Sequence, residues 1–330
     1  MQIFAASGLS RRERQPGKLI FKCGCQRTSS LYLVCCDDYD LQGAIVSQRD
    51  KDENLDQGVI DGFGHEWAAF DYAETETAEA LDVQFAAYCA PLDLSQFDPE
   101  TSVAGDFGAG SGRWSSRLAP YFLRVYALEP SDGASTVLKT KFEGDPKIVV
   151  LQETVGVNSI PVGSLDLAMS LGVLHHIPDT GLAIKDVARS IKPGGVFLCY
   201  LYYNLENKPT YYKLIFKGVN VVRRIISASP QSVRRLSATI IAGFVYWPLA
   251  RLSKVLSKLG RDTSNLPLHH YADMPLVMLT NDALDRFGTS LEQRFSKAEI
   301  TEMLRAADFD LLTLKFSEIE PFWTFSIKKL

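Results

Sequence analysis

The chain has 330 residues, 46% of them hydrophobic and 22% charged, with a formal net charge of −4. That length holds one large domain or two with ample core, and the acidic balance argues against a nucleic-acid binder overall. Six cysteines (23, 25, 35, 36, 89 and 199) do not make a disulfide framework, and neither a signal peptide nor an uncharged apolar run of about 18 residues is seen, so a reducing, cytoplasmic setting without a spanning helix is expected.

In the first 60 residues, Phe21-Lys22-Cys23-Gly24-Cys25 and Leu31-Tyr32-Leu33-Val34-Cys35-Cys36 read as two strand–turn units with paired thiols. Tetrahedral zinc takes two knuckles of C-x₂₋₄-C spacing, whereas these pairs are C-x-C and C-C. A metal site and thiols acting as small apolar fillers both stay open. Asp61-Gly62-Phe63-Gly64-His65-Glu66-Trp67-Ala68-Ala69-Phe70 reads either as a lid or as an aromatic face packing a helix onto a core. Residues 74–90 read as an amphipathic helix with Leu81, Phe85 and Tyr88 at i, i+4 and i+7.

Strands and helices then alternate, which predicts a parallel sheet. Strands are expected at 102–107, 124–129, 147–152, 165–170 and 195–201, and helices at 112–120, 132–142 and 180–192. The stretch Val103-Ala104-Gly105-Asp106-Phe107-Gly108-Ala109-Gly110-Ser111-Gly112-Arg113-Trp114 is strand, tight glycine loop and helix start, the form of a nucleotide-type site at a sheet's carboxyl edge. Two departures from a dinucleotide fingerprint sharpen it. The third glycine comes one residue early, and Asp106 repels a pyrophosphate while suiting a ligand with a positive end. Glu129, about 20 residues on and followed by Pro130, closes the second strand where such folds bind ribose hydroxyls.

Residues 205–280 interrupt the alternation. Asn207 to Arg261 holds eleven Lys and Arg and no Asp or Glu, which leaves −15 on the remainder. Tyr212, Ile215, Phe216, Val219, Val222 and Ile226 form an apolar helical stripe, with Lys213, Lys217, Asn220 and Arg224 on another face. Leu249, Leu252, Leu256 and Leu259 repeat the pattern, and Leu236 to Ala250 is uncharged. Peripheral contact with an anionic membrane through 207–261, a helical cap packing its stripe on the body, and a site for a phosphate-bearing acceptor all fit. Further on, Ser296 with Glu299 makes a capping box, and Phe309–Lys315 and Phe322–Lys328 read as two closing strands.

With Ser164–Asp179, which contains His175-His176, and Ile191-Lys192-Pro193-Gly194-Gly195-Val196-Phe197-Leu198, four motifs stand in order over about a hundred residues. On these the chain resembles the class I S-adenosylmethionine-dependent methyltransferases, in the subgroup similar to the ubiquinone/menaquinone methyltransferases. The resemblance implies an α/β, Rossmann-like seven-stranded, mostly parallel sheet with helices on both faces and an antiparallel last strand. It also implies a ribbon-like extension over 1–60, a helical lead-in or lid over 61–94, a core of 95–204 plus 281–330, and a basic helical insert over 205–280. The implied cofactor is S-adenosylmethionine, held by Asp106, Gly108, Ala109, Gly110, Gly112, Glu129, Pro130 and Leu171, with backbone at Gly156 and Val157 reading the adenine. No metal is implied for the methyltransferase site.

A methyl sulfonium is already electrophilic, so positioning carries much of the rate. His176 is the candidate base toward an acceptor hydroxyl, with a structural role for the His175-His176 loop as the alternative. Tyr202, Tyr203 and Asn204 are acceptor-pocket candidates by position. The acceptor expected is a small molecule or a lipid- or phosphate-linked glycan, with O-methylation favoured. C-methylation of a quinone-like ring and a non-catalytic regulatory subunit are the rivals. Without an Asn/Asp-Pro-Pro-Tyr motif after the fourth strand, a nucleic-acid substrate is least favoured.

Overall fold

A computed structural model of the chain describes residues 54–69, 78–206, 209–263, 266, 268–319 and 323–330. Cys23, Cys25, Cys35 and Cys36, and with them the ribbon and metal readings, lie outside the described residues. So does the start of the helix expected at 74–90.

Seven strands form one sheet: β1 Val103–Phe107, β2 Arg124–Leu128, β3 Ile148–Leu151, β4 Leu165–Leu171, β5 Ile191–Tyr200, β6 Phe309–Phe316 and β7 Thr324–Lys329. Their order is β3-β2-β1-β4-β5-β7-β6. β1 to β5 run parallel, and β7 inserts antiparallel to both β5 and β6. The order reverses between β1 and β4, so a crevice opens where their carboxyl ends diverge. Within β5, the pairing with β4 steps from Leu165–Ile191 to Leu167–Val196, because Pro193, Gly194 and Gly195 bulge out of the ladder.

Helices cover both faces. α1 is Gln57–Ala69, α2 Ala78–Tyr88, α3 Ser115–Leu118, α4 Asp132–Lys141 and α5 Thr180–Ser190. Four more follow as α6 Thr210–Ser227, α7 Gln231–Ile241, α8 Trp247–Lys258 and α9 Leu276–Gly288, with α10 at Lys297–Arg305. Leu81 and Phe85 of α2, Leu118 of α3 and Leu138 of α4 pack on one side of the sheet with Val125, Leu167 and Met169. Ile184 and Val187 of α5 and Ile300 and Leu304 of α10 pack on the other with Phe197, Phe309 and Phe325. Each face is sealed by alternating strand residues meeting one stripe of each helix, which is what the period-2 and period-3.6 patterns dictate. The capping box forms: the Glu299 N–H donates to Ser296 Oγ at 3.1 Å, and the Ser296 N–H donates to Glu299 Oε2 at 2.7 Å.

The helix expected at 112–120 is shorter. Gly110 and Gly112 carry positive φ (56° and 74°), so the loop runs to Trp114 and α3 has only four residues before a 3₁₀ turn at Ala119–Tyr121. The boundary drawn at 280/281 falls inside α9, whose Leu279, Ala283 and Phe287 pack on α7 and α8 rather than on the sheet. α9 therefore belongs with the helical insert.

That insert differs from its expected form in two further ways. α7 and α8 are joined by one wide turn, Ala242–Tyr246, into a helix of 28 residues, Gln231–Lys258, which is long and apolar enough to cross a membrane by length and composition. The apolar stripes are also only partly buried. On α6, Val219 and Ile226 pack inward while Ile215 and Val222 are about half exposed. On α7 and α8 the inward seam is Ala238, Ala242, Tyr246 and Ala250, four residues apart, and Leu249, Leu252 and Leu259 point outward. Small residues let this helix approach α9 closely, so the bulky face is left on the other side.

Candidate functional site

A cavity of about 570 Å³ opens at the carboxyl ends of β1, β2, β4 and β5. It has two halves. The sheet-side half is lined by Gly108, Ala109, Leu128, Glu129, Pro130, Thr154, Val155 and Leu171, with Arg113 and Trp114 from the glycine loop. α1 covers it with Val59, Ile60 and Phe63, and α2 adds Gln84 and Tyr88. α1 comes very close to the loop after β2, since a Cβ on Gly64 would lie 2.9 Å from Ser131 Cβ. Of the stretch expected as a lid or a packing face, Phe63 lines the cavity and Gly64 meets the loop after β2, while the side chains of Trp67 and Phe70 lie outside the described residues.

Glu129 is 6% exposed and directly follows β2. The Gly110 N–H donates to its Oε2 at 3.0 Å, and the Ser131 N–H and hydroxyl donate to its Oε1 at 3.0 and 2.6 Å. Burial raises its pKa, and these three donors oppose the rise. A carboxylate offers about four acceptor positions, so capacity remains toward the cavity that it lines.

Asp106 was expected to orient the cofactor's amino end through the glycine loop, directly or through water, and it does not itself line the cavity. Its carboxylate lies beneath the loop and accepts from Ser115 Oγ at 2.7 Å, away from the cavity lining. Burial pushes its pKa up to about 7, and the nearby Glu129 charge adds to the rise. The glycines also serve packing as much as ligand approach. A Cβ on Gly108 would come within 2.5 Å of Val173, and one on Gly112 within 2.4 Å of Phe142. Past β3 the wall is Thr154 and Val155; Gly156 and Val157 do not line it, and Val157 is 41% exposed. The loop turns outward two residues earlier than the spacing suggests.

The second half lies under the insert and is aromatic and acidic. Tyr200, Tyr202 and Tyr203 enter from the end of β5, Tyr212 from α6, and Tyr271 and Met274 from the segment before α9. Asn204 does not line it; its N–H donates to the Phe295 carbonyl at 3.0 Å. His176 sits where the halves meet. Its Nδ1 is 2.7 Å from the Leu291 carbonyl, which only accepts, so Nδ1 carries the proton and Nε2 keeps its lone pair. Nε2 is buried without a hydrogen-bond partner among the described residues. Burial pushes the His176 pKa down to about 4, so the ring is neutral at neutral pH. His175 stacks on Tyr202 at 3.8 Å, is fully buried, and does not reach the cavity.

Asn281, Asp282 and Asp285 on α9 also line this half, and the sequence reading missed them. Tyr271 bonds to Asp282, and the Tyr202 hydroxyl donates to Asp285 Oδ2 at 3.4 Å. Asn281 Oδ1 and Asp285 Oδ1 are buried without hydrogen-bond partners among the described residues. Burial, helped by Glu292, pushes the Asp285 pKa up to about 6. The available signal was that α9 has no wholly polar face: its acids fall on a stripe between apolar ones, unlike those of a solvated helix.

Residues 105–199 match a protein-family model described as a methyltransferase domain. Among curated relatives, a methyltransferase of Claviceps purpurea is 29% identical over 94 residues, covering 28% of this chain and 29% of its own length. A ubiquinone biosynthesis O-methyltransferase of Burkholderia vietnamiensis is 25% identical over 163 residues, covering 47% of this chain and 68% of its own. The first match thus spans less than a third of that relative. Among solved structures, human N-acetylserotonin methyltransferase in complex with S-adenosylmethionine aligns with a TM-score of 0.42; it is 15% identical and covers 76% of this chain and 53% of that one. This chain carries a class I S-adenosylmethionine-dependent methyltransferase domain.

Proposed function

We propose that the protein methylates a hydroxyl oxygen on a small or lipid-linked acceptor, working peripherally at an anionic membrane. The observation that carries the oxygen assignment is His176: a cavity-lining imidazole whose tautomer is fixed by the Leu291 carbonyl and whose buried Nε2 has no hydrogen-bond partner among the described residues. S-adenosylmethionine supplies the electrophilic methyl group when bound. The sheet-side half suits it, with a buried carboxylate at Glu129 for ribose hydroxyls, apolar walls at Leu128, Val155 and Leu171, and the close backbone of Gly108 and Ala109.

The chain's own residues then position and deprotonate. Tyr202 and Asp285 hold the acceptor's polar end, and α1 excludes water from above. The acceptor's hydroxyl proton would pass to His176 Nε2 as its oxygen takes the methyl group that the bound cofactor would supply. A ring carbon as acceptor has less use for three buried hydrogen-bond acceptors at one end of the pocket, and the name of the Burkholderia relative also supports oxygen.

The test starts with calorimetric titration of S-adenosylmethionine and S-adenosylhomocysteine, then a screen of hydroxyl-bearing acceptors read by S-adenosylhomocysteine release. Micromolar binding with turnover of a hydroxyl acceptor supports the reading. A folded protein that binds neither cofactor form would end it, and turnover only of hydroxyl-free rings would move the acceptor atom to carbon.

A further inference from the structure

Among the described residues, sixteen of the 26 exposed large apolar side chains fall within residues 211–259. They are arranged, not scattered. On α6, Tyr211, Leu214, Ile215, Val221, Val222 and Ile225 recur at helical spacing, each at least 46% exposed. On the following helix, Leu236, Ile240, Phe244, Leu252 and Val255 do the same, with Phe244 81% exposed. A monomer in water rarely carries an apolar surface of this extent.

The charges say what covers it. Of the basic residues here, Arg223, Arg234 and Arg251 donate to the carbonyls of Thr289, Gly288 and Ala272 and staple the insert together. Lys217, Arg224, Arg235 and Lys258 stand exposed around the apolar stripes, with no acid between Asn207 and Arg261. An isologous dimer through this face would press like charges together. Lipid phosphates would neutralise them while acyl chains accept the apolar face.

We infer that α6 and the continuous α7–α8 helix form a docking face for an anionic phospholipid bilayer, lying in its interface and not crossing it. The inner seam of α7–α8 is sealed against α9, so the helix cannot be surrounded by lipid while the fold holds. Its uncharged run, Leu236 to Ala250, also spans only about 22 Å at ~1.5 Å per residue, short of the ~30 Å hydrocarbon core. Tyr212 of α6 lines the acceptor half of the cavity on the same helix that presents Tyr211 and Leu214 outward. Docking therefore brings the acceptor end to the membrane surface; that delivery rests on the methyl-transfer reading, whereas docking itself does not.

The experiment is flotation of the full chain with phosphatidylcholine vesicles made with and without phosphatidylglycerol, alongside an F244E/L252E double variant. The protein should float with the anionic vesicles, largely stay behind with the neutral ones, and lose at least about tenfold in partitioning on the double substitution or in high salt. Both positions are exposed, so the variant should melt and bind S-adenosylmethionine as the parent does. Failure to float with anionic vesicles overturns the proposal. So does a concentration-dependent dimer in sedimentation that the double variant splits, since the face would then belong to a second copy. Cofactor binding by calorimetry is indifferent to all of these outcomes, so loss of docking and loss of the methyl-transfer reading are told apart.

Discussion

The two halves of the cavity are made in different ways. The sheet-side half comes from a short run of chain, Gly108 to Pro130 and a few residues after β3 and β4, fixed by backbone hydrogen bonds and strand ends. The acceptor half is assembled from side chains of β5, α6, the loop before α9 and α9 itself, contributed by segments up to 85 residues apart and held by side-chain packing. A site made of backbone keeps its geometry under sequence change. One made of side chains on an insert is free to acquire a new substrate without disturbing the cofactor.

That contrast can be broken most sharply at the junction. His176→Ala should lower turnover by about 10²- to 10⁴-fold while leaving S-adenosylmethionine affinity within a few-fold by calorimetry. The pH–rate profile sharpens it: with His176 as base, activity should hold down to about pH 5 and fall near its pKa of about 4, because protonation removes the lone pair. An acid limb near pH 6 would instead point to Asp285. Glu129→Ala should act at the other half alone, weakening cofactor binding by at least about 10²-fold, since it also strips the partners from the Gly110 and Ser131 N–H groups.

Smaller effects test the loop. Gly112→Ala places a Cβ at φ +74° against Phe142 and Leu138, and should cost about 2–3 kcal/mol in urea denaturation with no change in the acceptor half. Asp106→Asn should go the other way. Because the folded pKa of Asp106 is raised, its contribution is fully present below the ordinary carboxylate pKa and is lost as pH rises through about 7. The cofactor-free variant should therefore be more stable than the parent by about 1–2 kcal/mol at pH 8 and no more stable near pH 4, by thermal melting at the two pH values.

The same division governs what the sequence made legible. Strand ends at Phe107, Leu128 and Leu171, the glycine loop, Glu129 and the Ser296–Glu299 box are local in sequence, and each follows from a short-range rule. The structure puts Asp106 under the loop and leaves Gly156 and Val157 off the cavity wall, because a loop's exit direction is set by what it packs on. Asp282, Asp285 and the outward leucines of α8 went unread for a related reason. Periodicity finds the stripes of a helix, but which stripe faces a cavity, a neighbour or solvent depends on the third element packed against it. On α7–α8 the usual assumption inverted, since alanines sealed the helix to α9 and left the large side chains outside.

The insert leaves the sheet and returns to it through one small clamp. The Phe295 N–H donates to the Tyr202 carbonyl at 2.9 Å, the Asn204 N–H donates to the Phe295 carbonyl at 3.0 Å, and Tyr203 pairs with Phe295 in a single parallel bridge. The two ends of some ninety intervening residues are thus already as close as neighbouring strands. Such a segment is a cassette: it can be excised and its ends rejoined by a short linker, or exchanged for another, without re-threading the sheet. The part of the acceptor half that runs from Tyr212 to Asp285 is thus carried as one exchangeable piece.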